Sequence, residues 1–194
     1  MVKIHRIKKN ASTTLALLEP ILVSNSDIDI VVIREPIERF WSACKTIHPD
    51  IMFFDKVLTK YHGEIVKNNT AEVNLEAIIA SCVTMAQETP PEPHFMRQID
   101  AIGEKKFDYV FKHHEFNLKF KELTEANVIS IDTTHKFYNV LEFVDFDNYK
   151  NFDISPKERD DAAMTIINNN HITLLNSLYE ADILLYSNPS VLLK

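Results

Sequence analysis

The chain has 194 residues, of which 45% are hydrophobic and 25% are charged, and its 21 basic and 28 acidic side chains give a net charge of −7. This apolar content is enough for a packed core, so the composition excludes a mainly disordered chain, and the length predicts one domain, residues 1–194. The acidic balance disfavours a general nucleic-acid binder, which needs clustered cations to meet phosphates.

The first part of the chain alternates predicted strands and helices. Residues 2–8 alternate loosely between apolar and polar side chains and predict a strand, which breaks at residues 9–14. Residues 15–20 predict a helix that stops near a proline. The β-branched run 28–33 is typical of a buried parallel strand. A Glu-Pro pair then opens a second helix over 36–47, because proline is tolerated at the first helical position.

Three more helices and two more strands are predicted downstream. The helices cover residues 50–62, 73–87 and 117–123, and the strands cover 107–112 and 128–131. Ser155-Pro156-Lys157-Glu158 is a capping box with proline at the first helical position, and it predicts a helical tail. Because strands alternate with helices along the chain, the fold class predicted is α/β, with a small, mainly parallel sheet flanked by helices.

The break at residues 9–14 is a candidate anion site. A loop between a parallel strand and a helix exposes free backbone N–H groups, which bind anions together with the helix dipole. Lys9 adds a positive charge. Ser12, Thr13 and Thr14 add hydroxyl donors. The Gly-x-x-x-x-Gly-Lys spacing of ATP-binding loops is not present, and the alternative is a solvated turn in which Ser12 caps the helix.

A second candidate lies where the strand 28–33 meets the next helix. Arg34 follows the carboxyl end of that strand, which is where open α/β sheets bind ligands, and its guanidinium can hold a phosphate through two hydrogen bonds. Ser42 lies about two helical turns later, within reach of the same phosphate. Arg39 either reaches that phosphate too or pairs with Glu35 or Glu38. The alternative for the whole segment is a surface salt bridge beside a buried serine.

Taken together, these segments match a known pattern. Lys9-Asn10-Ala11-Ser12-Thr13-Thr14 resembles the 5′-phosphosulfate loop of sulfotransferases, and Arg34-x-Pro36-x-x-Arg39-x-x-Ser42 resembles the 3′-phosphate motif of the same family. Pro93-His94-Phe95-Met96-Arg97-Gln98 is similar to the His-Phe-Arg-Pro-Gln segment of the carbohydrate-type members. The segment from Leu178 to Tyr186 is similar to the Tyr-x-x-Asp-x-x-Leu-Phe ending of that family.

The resemblance implies a P-loop-NTPase-like three-layer sandwich and the sulfuryl donor 3′-phosphoadenosine 5′-phosphosulfate (PAPS). The 5′-phosphosulfate would be held by the loop residues Lys9, Asn10, Ala11, Ser12, Thr13 and Thr14. Arg34 and Ser42 would hold the 3′-phosphate. The acceptor is expected to offer a hydroxyl group or an amine, with a saccharide as the first choice. A small-molecule donor and acceptor are the expected partners, and the sequence does not indicate an oligomeric state.

Sulfuryl transfer needs a charge stabiliser near the leaving oxygen and a base for the acceptor proton. Lys9 fits the first role, and no metal is required. His94, which follows a rigid proline-rich loop, is the first candidate for the base, and its alternative is a structural histidine that is hydrogen-bonded to its own loop. The remaining candidates for the base are His113, His114, Glu19 and Glu35. Arg97 and Gln98 could orient donor or acceptor, and Lys112 could meet an anionic acceptor.

The sequence also favours a reducing compartment. Cys44 and Cys82 are too few for a disulfide framework and lack a metal-ligand spacing. The N-terminus has no apolar signal segment, and no run approaches the ~20 apolar residues of a membrane span. Asn10-Ala11-Ser12 matches a glycosylation acceptor, but a glycan there would block the phosphate loop. We therefore expect a soluble cytoplasmic protein without a membrane or nucleic-acid partner.

Two other functions remain open on the sequence alone. The first is a nucleotide-binding or anion-binding domain of the same fold that does not catalyse transfer. The second is a nucleotide-dependent phosphotransferase, which the missing lysine spacing and the lack of an evident magnesium-binding aspartate disfavour.

Overall fold

A computed structural model describes residues 1–8, 10, 15–16, 18–47, 75–134 and 157–194. The chain divides into two compact units. Unit 1 comprises Met1–Pro36, Arg97–Lys150 and Ala181–Lys194, and unit 2 comprises Ile37–Met96 and Asn151–Glu180. The single domain expected for residues 1–194 stays a prediction.

The strands are β1 (Val2–His5), β2 (Leu22–Val23), β3 (Ile28–Ile33), β4 (Tyr109–Lys112) and β5 (Ser130–Ile131). The α-helices are α1 (Pro36–Ile47), α2 (Leu75–Gln87), α3 (Gln98–Ile102), α4 (Phe116–Glu125), α5 (Lys157–Ile166), α6 (Ile172–Leu178) and α7 (Glu180–Ser187). Short 3₁₀ turns cover Glu19–Ile21, His113–Glu115 and Pro189–Leu192, and Ile167–His171 is π-helical. Among these helices, none combines the length and the hydropathy that crossing a bilayer requires.

Unit 1 is built on a parallel sheet with β3 at its centre. Within the described residues its strand order is β1-β3-β4, with Val2 opposite Ile28 and Ile30 opposite Tyr109. β3 is the buried parallel strand that its β-branched run predicts. Because the strands run in the same direction, their carboxyl ends meet at one edge, and Arg34 follows β3 there.

Side chains of β3 alternate between two cores, since successive residues of a strand point to opposite faces. Ile30 and Val32 belong to a core that includes Phe116 and Phe120 of α4. Val31 and Ile33 belong to a second core, which includes Ile102 of α3 and Leu185 of α7. Helices therefore flank a small parallel sheet, and the predicted α/β class is confirmed at this level.

The short elements of unit 1 differ from the sequence expectation. The strand predicted over 128–131 is limited to β5, and it pairs antiparallel with β2 in a separate two-stranded sheet. The two residues of β2 are too few to show an alternation of apolar and polar side chains, so the sequence could not predict this strand. β1 ends at His5 rather than at residue 8, and β4 begins at Tyr109 rather than at residue 107. The helix predicted over 117–123 is confirmed as α4, with slightly wider bounds.

Unit 2 has a helical core in its described part. α1 matches the helix predicted over 36–47, and α2 is the described part of the helix predicted over 73–87. The helix predicted over 50–62 lies outside the described residues. The predicted helical tail is confirmed, although a π-helical stretch separates α5 from α6. The buried core of this unit combines Phe40, Trp41, Cys44, Ile79, Cys82, Phe95, Ala163, Ile167, Leu175 and Tyr179.

A charged cluster links the starts of β3 and β4. The Nζ atom of Lys194 lies 3.0 Å from Asp29 Oδ2 and 2.9 Å from Asp108 Oδ2. The backbone amide of Asp29 donates to Asp108 Oδ2 at 2.8 Å. The Lys194 ammonium lowers the pKa of Asp29, and the Asp29 amide together with Lys194 lowers the pKa of Asp108. The two carboxylates in turn raise the pKa of Lys194.

Replacing Lys194 by Met tests this cluster. Because the pKa values of both aspartates are lowered in the fold, their stabilisation is present above the ordinary Asp pKa of about 3.9 and is lost as the pH falls below it. The raised pKa of Lys194 means that its contribution is lost only as the pH rises past about 10.4. We therefore expect Lys194→Met to lower the free energy of unfolding at neutral pH, with the difference closing in acid.

The measurement is urea unfolding of the parent and the variant over a series of pH values. Lys105→Met, at an exposed lysine, serves as the control and should differ little from the parent at any pH. A difference between Lys194→Met and the parent that stays constant from neutral pH into acid would contradict the cluster.

Candidate functional site

The structure describes some of the predicted site residues and not others. Lys9 and residues 11–14, which include Ala11, Ser12, Thr13 and Thr14, lie outside the described residues. Asn10 and Arg34 belong to unit 1. Ser42 and His94 belong to unit 2.

Asn10 is fixed at the carboxyl edge of the parallel sheet. It is fully buried, and its Nδ2 atom donates to the carbonyl of Val32 at 2.9 Å and to Oε1 of Gln98 at 2.5 Å. Its backbone amide donates to the carbonyl of Ile7 at 3.1 Å. These bonds hold Asn10, at the start of the candidate phosphate loop, against the carboxyl end of β3. Asn10 Oδ1 is buried and has no hydrogen-bond partner among the described residues.

Gln98 connects Asn10 to Arg34. Its Oε1 atom also accepts the backbone amide of Arg34 at 2.8 Å, and its Nε2 atom donates to the Arg34 carbonyl at 2.8 Å. Gln98 is fully buried, so its side chain holds these two segments rather than pointing to solvent. The sequence suggested that Gln98 could orient a ligand, and the structure gives it a supporting position instead. The candidate loop and the candidate arginine thus share one amide group.

Asp182 fixes Gln98 in turn. Its carboxylate accepts the backbone amides of Gln98 at 2.8 Å and of Ile99 at 2.9 Å, and the side chain is fully buried. Both amides belong to the first turn of α3, where N–H groups lack helical partners. Charge-assisted bonds of this kind are roughly twice as strong as neutral ones. Asp182 therefore positions the amide that joins Asn10 to Arg34.

In unit 2, the guanidinium of Arg39 holds the segment that contains His94. Arg39 is only 1% exposed, and it donates to the carbonyl of His94 at 3.2 Å and to the carbonyl of Met96. It also lies over the ring of Tyr179, 5.7 Å from the ring centroid. The sequence assigned Arg39 to a phosphate or to a neighbouring glutamate and did not predict this buried position.

The side chain of His94 is paired with Glu92. His94 Nδ1 lies 2.9 Å from Glu92 Oε1, and the backbone amide of His94 donates to Glu92 Oε2 at 2.6 Å. The imidazole remains 26% exposed. The sequence did not predict a role for Glu92, although its position two residues before the candidate base is a local signal for such a pair. The contact orients the imidazole, and it also fits the alternative of a structural histidine that is hydrogen-bonded to its own loop, so the role of His94 as the base stays a prediction.

Ser42 lies on a well-anchored part of α1. It is 7% exposed, and its carbonyl accepts the hydroxyl of Thr46 at 3.1 Å. On the same helix, Trp41 Nε1 donates to Asp160 Oδ1 at 2.6 Å, and Lys45 Nζ lies 3.3 Å from the same oxygen. These contacts to α5 fix the helix on which Ser42 lies.

The other candidate bases have partners of their own. Glu19 accepts the backbone amide of Ile4 at 3.0 Å and lies 3.7 Å from Arg6 Nε, which gives its carboxylate a structural position beside β1. His114 Nδ1 lies 3.0 Å from the hydroxyl of Tyr186. The ammonium of Lys112 lies 4.7 Å from the centroid of the Tyr186 ring. His5, His94 and His114 all lie near a carboxylate, and the distance from His94 Nδ1 to Glu92, 2.9 Å, is shorter than those of His5 Nε2 to Asp29, 3.4 Å, and of His114 Nε2 to Glu115, 3.6 Å.

Two observations concern metal and thiol chemistry. Within the described ranges, no group of three or more His, Cys, Asp or Glu side chains is arranged to hold a metal ion. Cys44 and Cys82 are free thiols buried in the core of unit 2, and burial raises the pKa of Cys44. The expectation that transfer needs no metal stays a prediction.

Comparison with family profiles, with curated proteins and with solved structures finds no match to the chain. A function for this chain is therefore inferred from the residues of its motifs and from the geometry around them.

Replacing Gln98 by Met tests the connection between Asn10 and Arg34. The substitution keeps most of the side-chain volume but removes three hydrogen bonds, so buried polar groups of Asn10 and Arg34 lose their partner. We expect the free energy of unfolding to fall by about 2–4 kcal/mol. Urea unfolding measures this change.

Gln87→Met, at an exposed glutamine on α2, is the matched control and should change stability by less than about 0.5 kcal/mol. Equal unfolding midpoints for the two variants would mean that the Gln98 amide does not hold these segments.

Proposed function

We propose that the chain is a sulfotransferase that moves a sulfuryl group from PAPS to a hydroxyl group of an acceptor, with a saccharide as the expected acceptor class. The observation that supports this most strongly is the shared amide of Gln98, whose Oε1 atom accepts from both Asn10 Nδ2 and the Arg34 amide. The finer fold in this proposal is a P-loop-NTPase-like three-layer sandwich.

The position of Asn10 and Arg34 favours a doubly anionic nucleotide. Both residues follow parallel strands that are neighbours in the sheet, and ligands of open α/β sheets bind outside the carboxyl ends of such strands. Lys9 precedes Asn10 directly in the sequence, so each of the two segments contributes a cation. Two cations on separate segments suit a ligand with two separated anionic groups. ATP and AMP lack the 3′-phosphate that would need the second cation.

The roles follow from the chemistry of each side chain. Lys9, with Asn10 and residues 11–14, would hold the 5′-phosphosulfate and stabilise charge on the leaving oxygen. Arg34 and Ser42 would hold the 3′-phosphate through charge-assisted and hydroxyl hydrogen bonds.

His94 would act as the base. The donor supplies the sulfuryl group when bound. The acceptor oxygen forms a bond to sulfur while the bond between sulfur and the bridging phosphate oxygen breaks, and that electron pair leaves with the nucleotide. The acceptor proton goes to His94. The reaction needs no further reactant.

Thermal unfolding with different nucleotides tests whether the chain recognises the 3′-phosphate. Adenosine 3′,5′-bisphosphate, the nucleotide product, should stabilise the chain by roughly 2.7 kcal/mol at a concentration 100 times its Kd. For a chain of this length that corresponds to a rise in Tm of about 5–10 °C. AMP and ATP at the same concentration should raise the Tm far less. Equal shifts for the three nucleotides would remove the argument for PAPS.

Arg34→Ala tests the assignment of the 3′-phosphate. We expect it to weaken binding of the bisphosphate by about 10- to 100-fold, because a charge-assisted hydrogen bond contributes roughly 1.5–3 kcal/mol. Calorimetric titration measures this change. Arg159→Ala, on α5, is the matched control and should bind the bisphosphate as the parent does. Unchanged affinity in Arg34→Ala would contradict the assignment.

His94→Ala separates binding from transfer. We expect it to bind the bisphosphate as the parent does and to transfer sulfate at least about 100-fold more slowly, because general base catalysis contributes that much or more. The assay follows donor consumption against a panel of saccharides, phenols and peptides, with mass detection of the added sulfuryl group. A parent chain that binds the bisphosphate but sulfates nothing in the panel would favour the non-catalytic alternative.

A further inference from the structure

Glu92 contacts His94 through both of its carboxylate oxygens. Oε1 lies 2.9 Å from the ring nitrogen Nδ1, and Oε2 accepts the backbone amide of the same residue at 2.6 Å. The side chain of Glu92 is 28% exposed and that of His94 is 26% exposed, so the pair lies at the surface of unit 2. The carboxylate thus fixes the ring and the backbone of His94 together.

This contact determines which ring nitrogen holds the proton. An ionised carboxylate has no hydrogen to donate, so a hydrogen bond to it requires a proton on Nδ1. A neutral imidazole with a proton on Nδ1 has its lone pair on Nε2. Among the residues that the structure describes, none forms a hydrogen bond with Nε2 of His94. The nitrogen that can accept a proton is therefore the one to which the described residues form no hydrogen bond.

The backbone around the pair is held at three successive carbonyls. Arg39 donates to the carbonyls of His94 and Met96, and the hydroxyl of Tyr179 donates to the carbonyl of Phe95 at 3.0 Å. The amide of Phe95 donates back to the carbonyl of Glu92 at 2.8 Å. Because Phe95 is only 1% exposed, its ring anchors the segment in the core. The geometry of Glu92 and His94 is thus set before any ligand binds.

We infer that Glu92 is a positioning residue that keeps His94 in the tautomer with the proton on Nδ1, so that Nε2 removes the acceptor proton. The role in transfer rests on the proposed function, whereas the tautomer does not. The acceptor proton moves to Nε2, and the proton on Nδ1 stays in place. The imidazolium that results is stabilised by the carboxylate of Glu92, which remains ionised throughout.

A purely structural role for the same contact predicts different behaviour. If Glu92 only closed the loop around residues 92–96, its loss would lower stability and weaken ligand binding together. A positioning role instead predicts a loss in the rate of transfer at unchanged nucleotide affinity. It also predicts that the loss disappears once His94 itself is absent.

Nitrogen NMR tests the tautomer without any activity. In ¹⁵N-labelled protein at about pH 8.5, roughly two units above the ordinary histidine pKa, long-range ¹H–¹⁵N correlations distinguish a protonated Nδ1 from a protonated Nε2. We expect the parent to have the proton on Nδ1 of His94, and Glu92→Leu to lose this preference. Glu88→Leu, at an exposed glutamate upstream in the same loop, is the matched control and should keep it.

Kinetics test the role in transfer. We expect Glu92→Leu to lower kcat by about 10- to 100-fold while the affinity for adenosine 3′,5′-bisphosphate stays that of the parent. Glu92→Gln, which retains an oxygen that can accept from Nδ1, should recover part of this loss. The double variant Glu92→Leu/His94→Ala should transfer no more slowly than His94→Ala alone, because coupled residues are non-additive.

The outcomes separate the two proposals. A proton on Nε2 in the parent would overturn the role of Glu92 even if sulfate is transferred. Additive losses in the double variant, or weaker nucleotide binding in Glu92→Leu, would also overturn it. A parent with the proton on Nδ1 that transfers no sulfate would instead overturn the proposed function and leave the tautomer assignment supported.

Discussion

One buried side-chain amide, that of Gln98, fixes the candidate donor-binding edge of unit 1. It bonds to Asn10 on one side and to both backbone groups of Arg34 on the other, and Asp182 holds it through the start of α3. A buried amide with partners on this many sides leaves little freedom to the segments that it joins, because each lost bond would leave a buried polar group unsatisfied. The proposed function depends on this constraint, because Asn10 and Arg34 belong to the two segments that are proposed to bind the nucleotide.

The segment from Glu92 to Gln98 is held by two side chains, each within its own unit. Tyr179 binds the Phe95 carbonyl within unit 2, and Asp182 binds the amides of Gln98 and Ile99 within unit 1. Both belong to the ending that resembles the Tyr-x-x-Asp pattern of sulfotransferases. In this chain, Tyr179 holds the backbone next to His94, and Asp182 holds the first turn of α3.

The sequence predicted the parts of this arrangement that depend on local patterns. The β-branched run of β3 and the Glu-Pro opening of α1 are local signals, and they placed Arg34 correctly at the carboxyl end of a parallel strand. Gln98 could not be assigned in this way, since its partner Asn10 is 88 positions away in the chain. The same holds for Asp182, which lies 84 positions from Gln98. The sequence predicted a phosphate or a neighbouring glutamate as the partner of Arg39, because nothing in its own helix indicates the carbonyls that it binds.

The central claim is that the loop that contains Lys9 and Asn10 and the arginine after β3 hold opposite ends of one nucleotide. A crystal structure with adenosine 3′,5′-bisphosphate tests this most directly. We predict the 3′-phosphate on the guanidinium of Arg34 and the 5′-phosphate on the loop of residues 9–14. A nucleotide bound elsewhere, or one whose 3′-phosphate has no contact with Arg34, would contradict the claim.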